Sequence, residues 1–313
     1  MPKRERGICE LYQDDPERAD RLVFGRVAEG RRGFLRGAGL AALGAVVGGA
    51  IPFHRNMPAG LIPAALAEET KPFTIQGKDG LVVLNDRPIN AETPAHLLDE
   101  SITPNNRHFV RNNGGVPEMA AKMDARGWKM VVDGEVGQPL TLTLDDLKGK
   151  FKPVTLALQL ECAGNGRAGF NPPASGNQWT VGAIGNSRWT GVPLRDILRA
   201  AGIKDTAKYT GHYGLDPHLS GDPNKVPISR GLPIGKAMDP HTIVAFAMNG
   251  EPIPALNGFP VRIVAPGYPG STSQKWLSRI WVRDQVHDGE KMKGQSYRVP
   301  AYPVEPGAKV PDQ

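Results

Sequence analysis

The sequence predicts an α+β fold built on mixed β-sheets. Glycine and proline are plentiful, at 38 and 29 of 313 residues, which favours strands joined by structured loops over a helical bundle. Short apolar or alternating runs of strand length recur along the chain, whereas helical periodicity is confined to short segments. Because strands and helices do not alternate regularly, a parallel βαβ architecture is not expected.

The first 67 residues are predicted to be an export signal. Arg31 and Arg32 precede an uncharged, glycine-rich apolar segment at 37–53, and residues 65–67 (ALA) offer a small-residue cleavage site. This pattern is typical of a secretory signal of the twin-arginine type. We therefore expect export of the folded protein by the twin-arginine translocase to the periplasm. The alternative is an N-terminal membrane anchor, for which the segment is short.

The charge distribution argues against nucleic acid as a partner. Ten Lys and Arg against seven Asp and Glu precede Glu68, so half of the formal net charge of +6 lies in the predicted signal. The remaining basic residues are scattered and lack interleaved aromatic residues. The sequence therefore predicts no nucleic-acid interface.

Strand and helix patterns follow the signal in order. Residues 73–84 are predicted to form a β-hairpin, and residues 128–142 a second hairpin that turns at Asp133-Gly134. A short helical turn is predicted at 144–147, and the apolar run Val154–Glu161 predicts a buried strand.

The later part of the chain contains one helix pattern and three further strand patterns. Helical periodicity over 190–201 starts near Pro193 and ends before Gly202. Strands are predicted at 242–248, 261–265 and 276–282.

Cysteine usage singles out one position. The chain has two cysteines, and Cys9 lies in the predicted signal, so Cys162 would be alone in the exported protein and form no intramolecular disulfide. No C-x-x-C-H haem attachment motif is present. The histidines, including His212 and His218, show no spacing typical of a zinc site.

Glycines beside Cys162 form a pattern with two interpretations. Gly164, Gly166 and Gly169 spell G-x-G-x-x-G after a strand, as in dinucleotide-binding proteins. That motif requires a following helix, which the paired prolines at 172–173 oppose, so we reject a dinucleotide site.

A thiolate site explains the same segment better. A thiolate is a soft metal ligand, the glycines allow close approach of a bulky cofactor, and Arg167 adds a permanent cation. The alternative is a buried structural cysteine at a tight turn.

The segment LQLECAGNGR (residues 158–167) resembles the molybdenum-ligand loop of the sulfite oxidase family. Further stretches follow in the family's order: HFVRNN, QWTVGAIGNSRWTGVPL, GLD, AMDP, MNGEPIP, NGFPVRIVAPG and QKWLSRI. The resemblance covers residues from about 105 to 303. It implies a sulfite oxidase-type molybdopterin-binding domain.

The resemblance also implies how the cofactor is held. Cys162 would be the protein thiolate on molybdenum, whose other sulfurs come from molybdopterin. The implied pterin-binding residues are Phe109, Val110, Arg111, Asn112, Asn113, Asp216, Asn257, Arg262, Ser273, Gln274 and Lys275. Family members often have histidine where this chain has Asn113 and Asn257.

By the same resemblance, the substrate is sulfite, which is oxidised to sulfate. The implied catalytic residues are Arg111, Arg167, Trp179 and Tyr297. We expect no haem in the chain and an external cytochrome c as electron acceptor. The alternatives are an S-oxide or another small oxyanion as substrate, or a non-catalytic cofactor-binding or electron-relay module.

The predicted organisation has three parts. Residues 1–67 are the twin-arginine signal, and residues 68–303 are the molybdopterin-binding oxidoreductase domain. Residues 304–313 are expected to begin a C-terminal β-sandwich that is missing or truncated. In the family this domain mediates dimer formation, so a dimer is expected only where it is present.

Overall fold

A computed structural model describes residues 73–292. The predicted signal, the predicted C-terminal segment and Tyr297 lie outside this range. The strands are β1 Val82–Asp86, β2 Ile89–Glu92, β3 Val110–Arg111, β4 Met130–Gly134, β5 Leu140–Leu142, β6 Val154–Glu161, β7 Ile184–Pro193, β8 Tyr209–Gly214, β9 Ser229–Pro233, β10 Ile243–Met248, β11 Glu251–Pro252, β12 Arg262–Val264 and β13 Leu277–Arg283. The α-helices are α1 Glu118–Ala121, α2 Leu144–Gly149, α3 Leu194–Ala200 and α4 Ile234–Ala237.

A small antiparallel sheet has the strand order β1-β2-β3. The first predicted hairpin is misplaced, because β1 and β2 pair across residues 82–92 and turn at Arg87-Pro88. The rigid proline occupies the turn. The segment before it folds as an irregular loop that carries Lys78 into the interior.

The second sheet has the order β11-β10-β7-β6, with β12 also paired to β10. Strand β6 has the predicted bounds, but it lies at the sheet edge and its residues alternate in exposure, so it is not fully buried as predicted. The predicted helix over 190–201 is partly wrong, because residues up to Pro193 extend β7 against β10. Helix α3 then begins at Leu194.

The third sheet has the order β5-β4-β13-β8-β9 and is mixed. Strands β4 and β13 are parallel, whereas the other neighbours are antiparallel. The second predicted hairpin forms, with Met130 opposite Leu142, but its turn follows Gly134. Gly134 lies against β13, where a Cβ would come 2.1 Å from the Val282 carbonyl oxygen, so it belongs to the strand.

Two large apolar clusters and one small one, which contains Ala120, Phe259 and Trp276, form the core among residues 73–292. The larger core contains residues of β4, β13 and α3, including Val132, Ile280 and Ile197. The smaller core, the second of the two large clusters, lies beneath the second sheet and includes Cys162 and Trp179. The α+β prediction is confirmed. Within residues 73–292, no helix has the length and apolar character needed to cross a membrane.

Candidate active site

A cleft brings together most of the predicted site residues. It encloses about 670 Å³, its open mouth included. The predicted residues that line it are Phe109, Arg111, Asn112, Asn113, Cys162, Asp216, Asn257, Arg262, Ser273, Gln274 and Lys275. His108, Leu160, Ile228, Gly270, Ser271 and Trp276 complete the lining. The lining combines cations, amides and one thiol, which suits a polar ligand.

The lining comes from chain segments that are distant in sequence. Residues 108–113 surround β3, Cys162 follows β6, and Asp216 follows β8. Asn257 lies in a 3-10 turn before β12, and residues 270–276 connect β12 to β13. The sheets therefore carry the site on loops at the ends of their strands.

Cys162 lies in the wall of the cleft and at the edge of the smaller core. Its side chain is 8% exposed, and its backbone N–H donates to the Ala183 carbonyl oxygen at 2.9 Å. The turn 270–272 approaches the same point, since a Cβ on Gly270 would lie 2.8 Å from the Glu161 carbonyl oxygen. The backbone at Cys162 is thus packed on one side by Ala183 and on the other by Gly270.

Arg262 supplies buried positive charge beside this wall. Its guanidinium donates to the carbonyl oxygens of Asn257 at 2.7 Å and of Ser273 at 2.9 Å, and it lies 5.1 Å from the Trp189 ring centroid. Burial lowers the pKa of Arg262 to about 9. The side chain therefore joins two cleft loops and also makes the cleft electropositive.

Lys275 is a second, half-buried cation of the cleft. Its ammonium donates to the Leu256 carbonyl oxygen at 2.7 Å and to Asn112 Oδ1, and it lies 4.5 Å from the Trp276 ring centroid. Burial, together with the nearby Arg262 charge, lowers the pKa of Lys275 well below its ordinary value. An anion in the cleft would offset both effects.

Lys78 is a buried cation that the sequence analysis missed. Its ammonium donates to the carbonyl oxygens of Asn105 at 2.6 Å and His108 at 2.9 Å, and to Asn257 Oδ1 at 2.7 Å. Burial lowers the pKa of Lys78 to about 7. A single lysine in a polar turn gives no sequence pattern that would have identified it.

Buried acceptors face the cleft as well. Asp216 Oδ1 and Gln274 Oε1 are buried and have no hydrogen-bond partner among residues 73–292. Burial raises the pKa of Asp216 to about 6. Buried polar atoms without partners are rare in folded proteins. Their clustering here indicates that a ligand with hydrogen-bond donors completes the site.

Buried donors without partners lie in the same lining. Within the described part of the chain, Asn112 Nδ2 and Ser271 Oγ have no partner. His108, also missed although it lies in the HFVRNN motif, adds an unpartnered acceptor at Nε2, because its Nδ1 donates to the Phe109 carbonyl oxygen. Burial lowers the pKa of His108 to about 3, so its ring is neutral at physiological pH. The cleft thus offers both hydrogen-bond donors and acceptors to a polar ligand.

Of the predicted catalytic residues that the structure describes, Arg111 lines the cleft, whereas Arg167 and Trp179 do not. Arg111 lines the cleft and donates to Asn113 Oδ1 at 3.0 Å. Arg167 does not line it, and its guanidinium packs over Gly164 and donates to the Asn177 carbonyl oxygen at 3.1 Å. Trp179 is fully buried, with its ring 6.5 Å from Phe109.

Two other predicted residues also lie outside the lining. Val110 is buried in β3, where it pairs with Ala91. Tyr297 lies outside the described residues. Among residues 73–292, no group of three or more His, Cys, Asp and Glu side chains converges as a metal site would require. The Cys162 thiol is suited to a metal that a cofactor also coordinates.

Comparisons with known proteins match the part of the chain that carries this cleft. The family model described as "Oxidoreductase molybdopterin binding domain" matches residues 113–291. Sulfite oxidase of Gallus gallus is 38% identical over 208 residues, which cover 65% of this chain and 44% of that protein. Nitrate reductase [NAD(P)H] of Hordeum vulgare is 37% identical over 224 residues, covering 69% of this chain and 24% of that protein.

A solved structure agrees with these matches. The sulfane dehydrogenase SoxCD from Paracoccus pantotrophus superposes with a TM-score of 0.59 at 27% identity, covering 79% of this chain and 62% of that chain. The chain spans less than half the length of the curated relatives it matches.

Proposed function

Because the chain belongs to the sulfite oxidase family of oxidoreductases with a molybdopterin-binding domain, we propose that it is a molybdenum enzyme that oxidises sulfite to sulfate. The observation that carries this proposal is the Cys162 thiol, which stands in the wall of a cleft lined by buried cations and unpartnered polar atoms. A purely structural cysteine would have no need of such surroundings.

The residues of the cleft fit molybdopterin in chemical type. A pterin presents amino and ring N–H donors, for which Asp216 and Gln274 offer buried acceptors. The cofactor also carries a phosphate, for which Lys275 and Arg262 supply positive charge and Ser271 supplies a hydroxyl. Buried cations and unmatched acceptors are thus explained by one ligand.

Cys162 would ligate the metal of the bound cofactor, which supplies a two-electron redox centre. The chain's own contribution is to hold the thiol at a fixed place. Packing against Phe109 and Leu160 restricts the side chain, and Gly270 brings the turn 270–272 against the cysteine loop. Fixed ligand placement is what redox chemistry at a metal requires of its protein.

Two arginines are proposed to bind the substrate anion. The Arg111 guanidinium lines the cleft, held by Asn113 and by Asn90 Oδ1 at 3.4 Å. The Arg167 guanidinium packs over the cysteine loop at Gly164. Their permanent charge suits an oxyanion such as sulfite. Tyr297 and Trp179 are the other two proposed catalytic residues, the tryptophan through its packing on Phe109.

The cellular setting is part of the proposal. Arg31-Arg32 and the apolar segment after it support export to the periplasm by the twin-arginine translocase. The chain has no C-x-x-C-H motif, which supports an enzyme without haem that passes electrons to a separate cytochrome c. An S-oxide or another oxyanion is the second candidate, since nitrate reductases are among the relatives.

Metal analysis and kinetics test the proposal together. Purified protein should contain close to one molybdenum and one pterin per chain and should reduce ferricyanide or cytochrome c when sulfite is added. Nitrate and a sulfoxide should be assayed in parallel. Protein that holds no molybdenum contradicts the proposal. If the protein holds molybdenum and turns over nitrate or a sulfoxide but not sulfite, the proposed cofactor stands and the proposed substrate is wrong.

A further inference from the structure

A lysine and an arginine share one acceptor at the edge of the cleft. Asn113 Oδ1 accepts a hydrogen bond from the Lys291 ammonium at 2.9 Å and another from the Arg111 guanidinium at 3.0 Å. Arg111 and Asn113 line the cleft, whereas Lys291 reaches Asn113 from the segment that follows β13. The amide carries no charge, so it orders the two cations without neutralising either of them.

The backbone at Lys291 has a conformation that lysine seldom adopts. Its φ is 65°, in the left-handed region that favours glycine. The Lys291 carbonyl oxygen accepts a hydrogen bond from the Arg230 guanidinium, and the Glu290 carbonyl oxygen accepts one from the Ser229 N–H at 3.0 Å. The start of β9 thus fixes this turn. Backbone strain that the surrounding structure imposes is concentrated at functional sites.

The Lys291 ammonium has donors left for a ligand. The side chain is half-buried, and within residues 73–292 its ammonium makes no hydrogen bond besides the one to Asn113. Because an ammonium has three donors, two remain for water or for a bound acceptor. A strained turn therefore presents a partly used cation beside Arg111.

The charges around Lys291 favour an anion at this point. Burial, followed by the nearby Arg111 charge, lowers the pKa of Lys291, whereas Glu290 and Asp216 act in the opposite direction. Burial disfavours the charge of Asp216 as well and raises its pKa to about 6. Two like charges at close range repel each other, and an anion that contacts both removes that repulsion.

We propose that Lys291 is a second substrate-binding cation, which together with Arg111 binds the oxyanion that the enzyme oxidises. The guanidinium and the ammonium would each donate to an oxygen of the anion in a charge-assisted hydrogen bond. Sulfite and its product sulfate offer several charged oxygens, whereas an uncharged S-oxide offers one oxygen without full charge. This inference rests on the proposed function, because it assumes that Arg111 binds the substrate.

The phosphate of molybdopterin has similar chemistry and is the other candidate occupant. The contacts favour the substrate, because Lys291 shares its acceptor with Arg111. Lys275, to which the phosphate is assigned, instead donates to Asn112 Oδ1 and to the Leu256 carbonyl oxygen. Cofactor content separates the two occupants experimentally.

Sulfate binding to the molybdenum-loaded enzyme tests the proposal. Lys291→Met removes the charge, and Lys291→Gly removes it while relieving the left-handed backbone. In both variants we expect the Kd for sulfate, measured by isothermal titration calorimetry, and the KM for sulfite to rise about tenfold. The value of kcat should change much less, and the metal spectrum and molybdenum content should match those of wild type. Lys291→Arg, which keeps the charge, should retain most of the affinity.

Lys236→Met is the matched control. Lys236 is also half-buried, but it pairs with Asp239 at 3.1 Å and does not line the cleft. Its substitution removes the same charge from the chain, so it tests whether net charge alone explains the effect. We expect wild-type values of Kd and KM in this variant. Losses equal to those of Lys291→Met would overturn the inference.

The outcomes distinguish the two proposals. Wild-type protein without molybdenum, or without sulfite turnover, overturns the proposed function and the inference with it. Wild-type protein that oxidises sulfite, with unchanged Kd and KM in Lys291→Met and Lys291→Gly, overturns the inference alone. A fall in cofactor content with an unchanged Kd for sulfate in the loaded fraction would assign Lys291 to the phosphate instead. Should Lys291→Met fold poorly, Lys291→Gly decides the matter, because glycine suits the turn.

Discussion

At the scale of single residues, the cleft concentrates positive charge with little compensation from the protein. Lys78 and Arg262 are buried, Lys275 is half-buried, and Asp216 is the carboxylate among the lining residues. Burial depresses the pKa of each cation and raises that of Asp216. Such an arrangement is expected where an anionic ligand supplies the missing charge.

Substitution of the proposed metal ligand, Cys162, should affect the enzyme differently from substitution of the proposed anion-binding arginines. Cys162→Ser replaces a soft thiolate with a hard, poorly ionised hydroxyl. We expect loss of turnover at saturating sulfite and loss of thiolate-to-metal absorption, with pterin retained through its other contacts. The measurements are the visible spectrum and kcat. Normal turnover in this variant would exclude Cys162 as the metal ligand.

Arg111→Gln and Arg167→Gln test the proposed anion-binding role of the two arginines. They should preserve the metal spectrum and weaken sulfite capture, because one charge-assisted contact is lost. A loss of roughly 1.5–3 kcal/mol corresponds to about ten- to a hundredfold in kcat/KM. Unchanged sulfite kinetics in both variants would contradict an anion-binding role. A loss confined to Arg111→Gln would assign that role to the arginine in the cleft lining.

At the scale of elements, the site depends on loops that approach each other closely at strand ends. The turn 270–272 reaches the end of β6 because Gly270 has no side chain there. That approach places Ser271 and Cys162 in the same cleft. Strand β6 also ends where its pairing with β7 stops, at Glu161 opposite Ile184, which releases the cysteine loop.

Gly270→Ala tests this approach. The added Cβ would meet the Glu161 carbonyl oxygen at 2.8 Å, so one loop must shift, at a cost of about 1–3 kcal/mol in the free energy of unfolding. We expect lower cofactor content as well. Gly235→Ala in α4 is the control, because its Cβ would meet nothing within 4 Å. Equal urea midpoints for the two variants would disprove the close-approach argument.

At the scale of the whole molecule, the stability of the cofactor-free protein should depend on pH. The pKa of Lys78 falls from 10.5 to about 7 on folding, so between these values the unfolded chain binds one more proton than the folded chain. The free energy of unfolding therefore rises as pH increases from about 7 toward 10. Below about pH 7, both states are protonated and the penalty is fully present.

Urea unfolding at pH 7, 8.5 and 10 measures this slope. Lys78→Met should reduce it in cofactor-free protein, and Lys275, whose pKa is also lowered by burial, should account for part of the slope that remains. Bound cofactor should flatten it too, because an anion beside the ammonium raises the pKa of Lys78 toward its ordinary value. A slope that is identical in wild type and Lys78→Met would show that another group causes the pH dependence.

Export is also a property of the whole chain. Replacing both Arg31 and Arg32 with lysine should trap cofactor-loaded protein in the cytoplasm, because the paired arginines are what the twin-arginine translocase reads. Cell fractionation with immunoblotting measures the distribution. Periplasmic accumulation of the double variant, or export in cells that lack the translocase, would refute the predicted signal.

The sequence by itself determined the α+β class, the bounds of β6, and Cys162 as the cysteine that lines the cleft. These follow from local patterns, namely strand periodicity, cysteine count and motif order. The short strands β8 (YTGHYG) and β9 (SRGLP) escaped prediction, because their glycines weaken the apolar pattern and pairing with neighbours stabilises them. Likewise, Gly134 is a strand residue only because β13 lies against it.

Only the tertiary structure decided which polar groups meet in the cleft. Lys78 contacts Asn257 across 179 positions of sequence, and no local pattern encodes such a pair. The two asparagines that depart from the family's histidines are each held by a lysine outside the recognised site residues. Burial also sets the pKa values of Lys78 and Asp216, because the dielectric surroundings of a side chain exist only once the chain has folded.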